Sequence, residues 1–266
     1  MKISFTRRSG GFTLIELIVV VAILAALAGI SAPFIISQMK AADVTSCRSN
    51  LNQLGIAGDK YARDMAHSHL LPTSGMDDDE DTEEYNESEG WWLALAAEMD
   101  GTVLPQSKGG KMKVPSIFHC PGHEPEVKDT TFPADVKTVS YVSWTDGSED
   151  EENPNSCIRT SAKQNLDTLP WLSDGNPVKG KSVTDLNSFR KQVLPAISRH
   201  SNTILVLYAS GMVKAYELDP ENIKAEALFK KMAPSIARKA EAAEESGSAA
   251  EDDSIEEDDE SDDEEE

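Results

Sequence analysis

The stretch RRSGGFTLIELIVVVAILAALAGISAPFII, residues 7–36, decides how the rest of the chain is read. From Leu14 onward it is apolar except for Glu16, Ser31 and Pro33. As a helix, the 20 residues from Leu17 to Ile36 would span ~30 Å, the thickness of one hydrocarbon core. A secretory signal peptide has a shorter apolar region followed by a small-residue cleavage site, so this run is long enough to stay as an anchor. Lys2, Arg7 and Arg8 precede it, and residues 1–11 hold no acid. That asymmetry keeps the N-terminus in the cytoplasm and sends the rest across the membrane. Glu16 does not fit a plain anchor, because a lone carboxylate in an apolar run is costly unless it finds a partner.

Beyond the run, Val44, Cys47, Leu51, Leu54, Gly58, Tyr61 and Met65 recur at alternating steps of three and four. Such steps place a stripe on one face of a helix. Ser49, Asn52, Asp59, Lys60 and Arg63 lie off the stripe. The pattern predicts one long helix from Phe12 to near Ala62, apolar all round in its first half and amphipathic in its second. Pro33 removes one of its hydrogen bonds and is expected to kink or locally melt it. Gly55 and Gly58 weaken it further on.

The remainder reads as a mixed head. Residues 67–89 are polar and acidic, with Asp77 to Asp81 at the centre, and are read as a loop. Gly90 to Gly101 reads as a short helix with Trp91, Leu95 and Met99 on one face. Phe118 to Gly122 (FHCPG) is a turn, Ser140 to Trp144 is strand-like, and Asp146 to Ser156 is a second acidic loop. Thr203–Ala209 and Met212–Leu218 are strand-like runs separated only by Ser210-Gly211, which predicts a hairpin with a two-residue loop. The first run is apolar throughout and suits an inner strand. A helix is expected over Glu221 to Met232. From Glu241 to Glu266 the chain holds 16 of its 47 acidic residues and no basic one, so the tail is expected to be disordered.

The N-terminal pattern resembles the signal of type IV prepilins and type II secretion pseudopilins. That signal is a basic leader ending in Gly, then Phe, then an apolar helix with Glu at the fifth mature position. Arg7, Arg8, Gly11, Phe12, Thr13, Leu14 and Glu16 supply every part of it, and Pro33 lies where many pilins carry a helix-interrupting proline. The resemblance implies that a prepilin peptidase cuts between Gly11 and Phe12 and N-methylates Phe12. It implies that other pilin or pseudopilin subunits are the assembly partners, and that Glu16 meets the Phe12 amine of a neighbour in the fibre. It also implies an α+β fold of type IV pilin kind, with the long N-terminal helix packed on a small antiparallel β-sheet head. On this reading residues 1–11 are a leader peptide and 12–65 the N-terminal helix, of which 12–36 is the transmembrane or fibre-core part. Residues 66–232 are the head and 233–266 the acidic tail. The protein sits in the inner membrane as a single-pass protein with its head in the periplasm, or in a cell-surface fibre.

A narrower resemblance is to prepilin-like proteins, abundant in planctomycetes, that carry a processing-associated H-x9-D-G element. It rests on Cys47–Ala57 (CRSNLNQLGIA), Trp91-Trp92, FHCPG and RHSNTILVLYASGMV. His200 is the histidine of that element, and Ser210 stands where the family has Asp. A tight turn accepts Ser-Gly nearly as well as Asp-Gly, so the dipeptide is read as a turn rather than a site.

Other function classes find little support. A net charge of -22 argues against nucleic acid as a partner, because phosphate would be repelled. No nucleophile–base pair, phosphate loop or dinucleotide motif stands out, so no catalytic residue is assigned. His119, Cys120 and His123 fall within five residues, but Pro121-Gly122 reads as a turn and no paired Cys-rich segment is present. No metal site is therefore assigned. No cofactor is called for, although calcium in an acidic loop would match the head-loop site of major pseudopilins; the spacing here is not that of an EF-hand loop. Three cysteines allow one disulfide: Cys120 with Cys157 or Cys47 with Cys120, or Cys47 as a buried thiol. The functional expectation is a structural subunit, a pseudopilin or minor pilin. Its rival is an envelope-anchored binding module whose acidic loops hold cations or a basic partner.

Overall fold

The computed structural model describes residues 12–64, 69–73, 90–100, 110–123, 129–131, 139–145, 158–161, 165–178, 181–200, 202–219 and 223–238. The leader with Gly11, the acidic loops at 77–81 and 146–152, Cys157 and the tail from Glu241 lie outside them. The chain divides into two compact units, one through Ala42 and the other from Asp43.

Helix α1 spans Leu14–Arg63, as the apolar run followed by the stripe predicts. It is helical through position 33 without interruption. Over Leu14–Ser31 it has the length and composition to cross a membrane. Its large apolar side chains there, Leu14, Ile15, Leu17, Ile18 and Val21 among them, are exposed. In the second unit the stripe turns inward, with Cys47, Leu51 and Leu54 fully buried.

The second unit is built on a four-stranded antiparallel sheet. Its strands are β3 (Tyr141–Ser143), β4 (Pro170–Asp174), β5 (Thr203–Tyr208) and β6 (Val213–Glu217), paired in that order. A separate two-stranded ribbon pairs β1 (Lys111–Lys113) with β2 (Asp129–Thr131). Strand β5 explains why its sequence is apolar without alternation: both of its faces are covered. Leu205 and Leu207 join the cluster that holds Leu51, Leu54, Trp91, Trp92 and Trp171. Ile204, Val206 and Tyr208 point into a second cluster with Trp144, Phe189 and Phe229. Helix α2 (Trp91–Asp100) contributes to the first cluster. Helices α3 (Leu186–Gln192) and α4 (Ala225–Met232) contribute to the second. Helices thus cover both faces of the sheet, and the head has three layers.

Several expectations change in detail. Trp91 through Ala96 are all buried, so α2 is enclosed rather than one-faced. Helix α4 starts at Ala225, after Lys224 in an extended conformation. Ala233, Ile236 and Ala237 are buried in the second cluster, so the head continues past Met232 and a tail boundary at 233 is too early. Strand β4 was not anticipated. Neither was α3, although Asp185 and Ser188 form a reciprocal capping box at its start.

The hairpin is present, but its loop is longer than two residues. The Tyr208 N–H donates to Met212 O, and the Gly211 N–H donates to Tyr208 O. Gly211 has φ +84, the left-handed region that closes a three-residue loop through a bulge. Ser210 is exposed in that loop, and six residues of β5, ~20 Å of strand, separate it from His200. The two ends of the H-x9-S-G element therefore do not converge on one site. Ser210→Asp should change head stability by less than ~1 kcal/mol, because both residues suit this turn. It should also create no calcium or zinc affinity beyond that of the wild type. Thermal melting with calorimetric titration of both proteins checks this, and tight binding confined to the Asp variant would refute the turn reading.

Candidate functional site

Among the described residues, two places carry chemistry. The first is the start of α1. Phe12 is 87% exposed and precedes a first turn that holds Glu16. Thr13 donates to Glu16 Oε2 from its backbone N–H and from its hydroxyl, both at 2.9 Å. The Glu16 N–H returns a bond to Thr13 Oγ1 at 3.4 Å. This is a capping box, legible in the sequence as T-x-x-E ahead of an apolar run. It gives the carboxylate a local partner within its own chain.

The second place lies inside the unit that begins at Asp43. Four polar side chains from distant parts of the sequence meet in its core. Cys47 comes from the buried stripe of α1. Cys120 follows the short 3-10 helix Ser116–Phe118. Asp174 closes β4, and His200 ends the 3-10 helix Leu194–His200 just before β5. None is more than 1% exposed, and their sulfur, oxygen and nitrogen atoms all lie within 4.8 Å of one another. His200 Nε2 is 3.1 Å from Cys120 Sγ and 3.6 Å from Asp174 Oδ1.

A surrounding set of bonds orients these groups. The Leu205 N–H donates to Asp174 Oδ2 at 3.0 Å, which ties the carboxylate to β5. The Tyr141 hydroxyl donates to Cys47 Sγ at 3.6 Å. Asn50 Nδ2 donates to that hydroxyl and, at 3.0 Å, to the His119 carbonyl. Arg199 donates to Ser140 O at 2.9 Å and to Asn176 Oδ1.

The electrostatics follow from this packing. The hydrogen bond from Cys47 draws the Cys120 thiol down to about 6 against the opposing effect of burial, and His200 adds to the pull. The same sulfur pair, together with burial, pushes Cys47 up. Burial alone would lower His200, but Asp174 and Cys120 beside it raise it to about 10.

The chemical options can be separated by geometry. A Cys-His-Asp relay needs the nucleophile and the carboxylate on opposite ring nitrogens, so that one orients the base for the other. Here both face Nε2, while Nδ1 has no hydrogen-bond partner among the described residues. Two sulfurs, one imidazole nitrogen and one carboxylate oxygen are instead a ligand set of the kind that binds zinc.

Sequence reasoning noticed Cys47, Cys120 and His200 one at a time and missed Asp174. No spacing motif links the four, because each comes from a different element. Of the His119–His123 turn, only Cys120 reaches the cluster; His123 Nδ1 lies 3.3 Å from Ser140 Oγ instead.

An N-terminal apolar helix with the length and composition to cross a membrane, together with a small antiparallel sheet, makes an α+β protein consistent with a pilin-like fold. Residues 6–32 match the model of the prokaryotic N-terminal methylation motif, so the N-terminal segment is a type IV prepilin-like signal. No curated protein and no solved structure matches the chain.

Proposed function

We propose that this protein is a pseudopilin or minor pilin, cut by a prepilin peptidase between Gly11 and Phe12 and methylated on Phe12. It then joins other pilin or pseudopilin subunits in a type II secretion pseudopilus or a type IV pilus-like fibre. One observation carries the reading: the methylation motif at residues 6–32 runs directly into a helix whose apolar side chains are left exposed. Before assembly the membrane covers those side chains, with the N-terminus cytoplasmic and the head in the periplasm. In the fibre, neighbouring copies of the same helix cover them.

Glu16 supplies register. Within the isolated chain its Oε2 is held by Thr13. In a bundle of helices the carboxylate faces the Phe12 α-amine of another subunit, and each charge offsets the cost of burying the other. Cleavage creates that amine, so processing licenses assembly. Glu16→Val should leave membrane insertion and cleavage intact. It should cut incorporation into fibres by roughly tenfold or more, because an unpaired buried charge is strongly disfavoured. Glu16→Gln separates charge from capping, since an amide oxygen can still accept from Thr13 yet carries no charge. The measurement is the ratio of protein in sheared fibres to protein in membranes for the wild type and both variants. Wild-type ratios in both would overturn the fibre-register role. A wild-type protein absent from sheared fibres and from crosslinked envelope assemblies would overturn the fibre reading itself.

A further inference from the structure

We propose that Cys47, Cys120, Asp174 and His200 hold one zinc ion in a closed, four-coordinate structural site that fastens α1 to the sheet. The inference stands apart from the fibre reading and rests on the cluster alone. Zinc bonds of ~2.3 Å to sulfur and ~2.0–2.2 Å to nitrogen and oxygen put tetrahedral ligands roughly 3.3–3.8 Å apart. The spacings here, 3.1 Å and 3.6 Å about His200 Nε2 and none above 4.8 Å, bracket that range. Small side-chain adjustments suffice to close on an ion.

An ion also resolves what protein atoms leave open. Asp174 is fully buried, and its Oδ1 has no hydrogen-bond partner among the described residues. That oxygen is the one aimed at the cluster, while Oδ2 is held by Leu205. Its nearest polar contact is His200 Nε2 at 3.6 Å, too long for a hydrogen bond, and a buried carboxylate oxygen left without one is expensive. A Cys47–Cys120 disulfide would join the sulfurs and leave this oxygen as it is. Zinc would coordinate it.

The charges close as well. Two thiolates and a carboxylate carry three negative charges, and zinc supplies two positive ones. The Arg199 guanidinium, only 8% exposed, supplies the remainder. It is held in place by its bonds to Ser140 O and Asn176 Oδ1. Thiolate sulfur and imidazole select zinc over calcium and magnesium, which take oxygen ligands. Leu205, Tyr141 and Asn50 orient the ligands from outside, as partners of metal-bound groups commonly do.

The ligands come from α1, from the turn after Ser116–Phe118, from β4 and from the segment before β5. One ion would therefore cross-link the main parts of the head. The test uses the full chain, extracted from membranes in mild detergent without reductant or chelator. Elemental analysis should find one zinc per chain, and peptide mapping should find Cys47 and Cys120 reduced. Stripping the zinc should lower the melting temperature by about 5 °C or more, because metal-binding free energy is folding free energy. Cobalt added to the stripped protein should give the near-ultraviolet charge-transfer bands of cobalt–thiolate bonds in tetrahedral geometry. Asp174→Asn and His200→Gln should weaken zinc binding roughly 100-fold or more, since even groups that merely orient ligands are worth 10–100-fold. The cobalt spectrum needs only the wild type, so a variant that fails to fold does not remove the test. A mapped Cys47–Cys120 disulfide in freshly isolated protein would overturn the proposal. So would reduced protein that takes up neither zinc nor cobalt, or unchanged zinc affinity in folded Asp174→Asn.

Discussion

Gly11→Val should leave the chain at precursor mass, with no detectable product beginning at Phe12. On the proposed processing of the prepilin-like signal at residues 6–32, the scissile bond follows Gly11. Glycine there presents no side chain to the peptidase, and its backbone is free to adopt conformations that a β-branched residue resists. Valine loses both properties. On the proposed pairing the effect should extend past processing: without cleavage the α-amine of Phe12 stays locked in a peptide bond, cannot face Glu16 of a neighbour, and assembly should stop. Intact mass and N-terminal sequencing of membrane-extracted protein check the result, with the wild type expected to start at N-methylated Phe12. Normal processing of the valine variant would refute the assignment of the bond. So would a wild-type chain still starting at Met1 in cells with an active prepilin peptidase.

The second large effect lies in the head. A Cβ at Gly58 would stand 2.1 Å from Trp171 Cη2 and 2.5 Å from Cζ3. Trp171 cannot readily yield: it is 1% exposed, and its Nε1 donates to Pro72 O at 3.0 Å. Gly58→Ala must therefore push α1 away from β4 or force the indole out of its rotamer. Overpacking of this kind costs ~1–3 kcal/mol, and this contact belongs at the upper end or beyond. Helix propensity works the other way, since alanine in a helix interior gains ~0.8–1.0 kcal/mol over glycine. The net expectation is a loss of about 2 kcal/mol, which for a domain of this size lowers the melting point by roughly 4–8 °C. Ile56→Ala is the control. Ile56 is on the same helix but 72% exposed, so its replacement should fall within about 0.5 kcal/mol of the wild type. A Gly58→Ala protein that melts at or above the wild-type temperature would show that α1 does not dock on Trp171.

Gly58 also shows where sequence reasoning stops. Read along the chain, Gly55 and Gly58 are weak points in a helix. In the fold they are where α1 lies directly against the sheet, with Trp171 over Gly58 and Leu207 Cδ1 3.1 Å from the Cβ position of Gly55. Propensity is a property of the helix alone, whereas the advantage of glycine here belongs to the partner surface. Strand β4 was hidden for a related reason. Pro170–Asp174 (PWLSD) is covered on both faces and shows no alternation, so only its pairing with β3 and β5 defines it.

What the sequence determined by itself rests on local pattern. A long apolar run with basic flanks, a three-four stripe, a Phe-Thr-Leu-Ile-Glu start and an apolar strand next to a Gly-containing turn each state their own structure. They do so because membrane insertion, helical burial and hairpin closure are decided over a few turns or a few residues. Tertiary structure alone decided the three-layer head and the meeting of Cys47, Cys120, Asp174 and His200. Those four side chains come from a helix, a turn, a strand end and a 3-10 helix, and no interval between them carries information. Their proximity exists only once β4 lies between β3 and β5 and α1 covers the sheet, because it is the packing of separate elements that brings them within reach of one another.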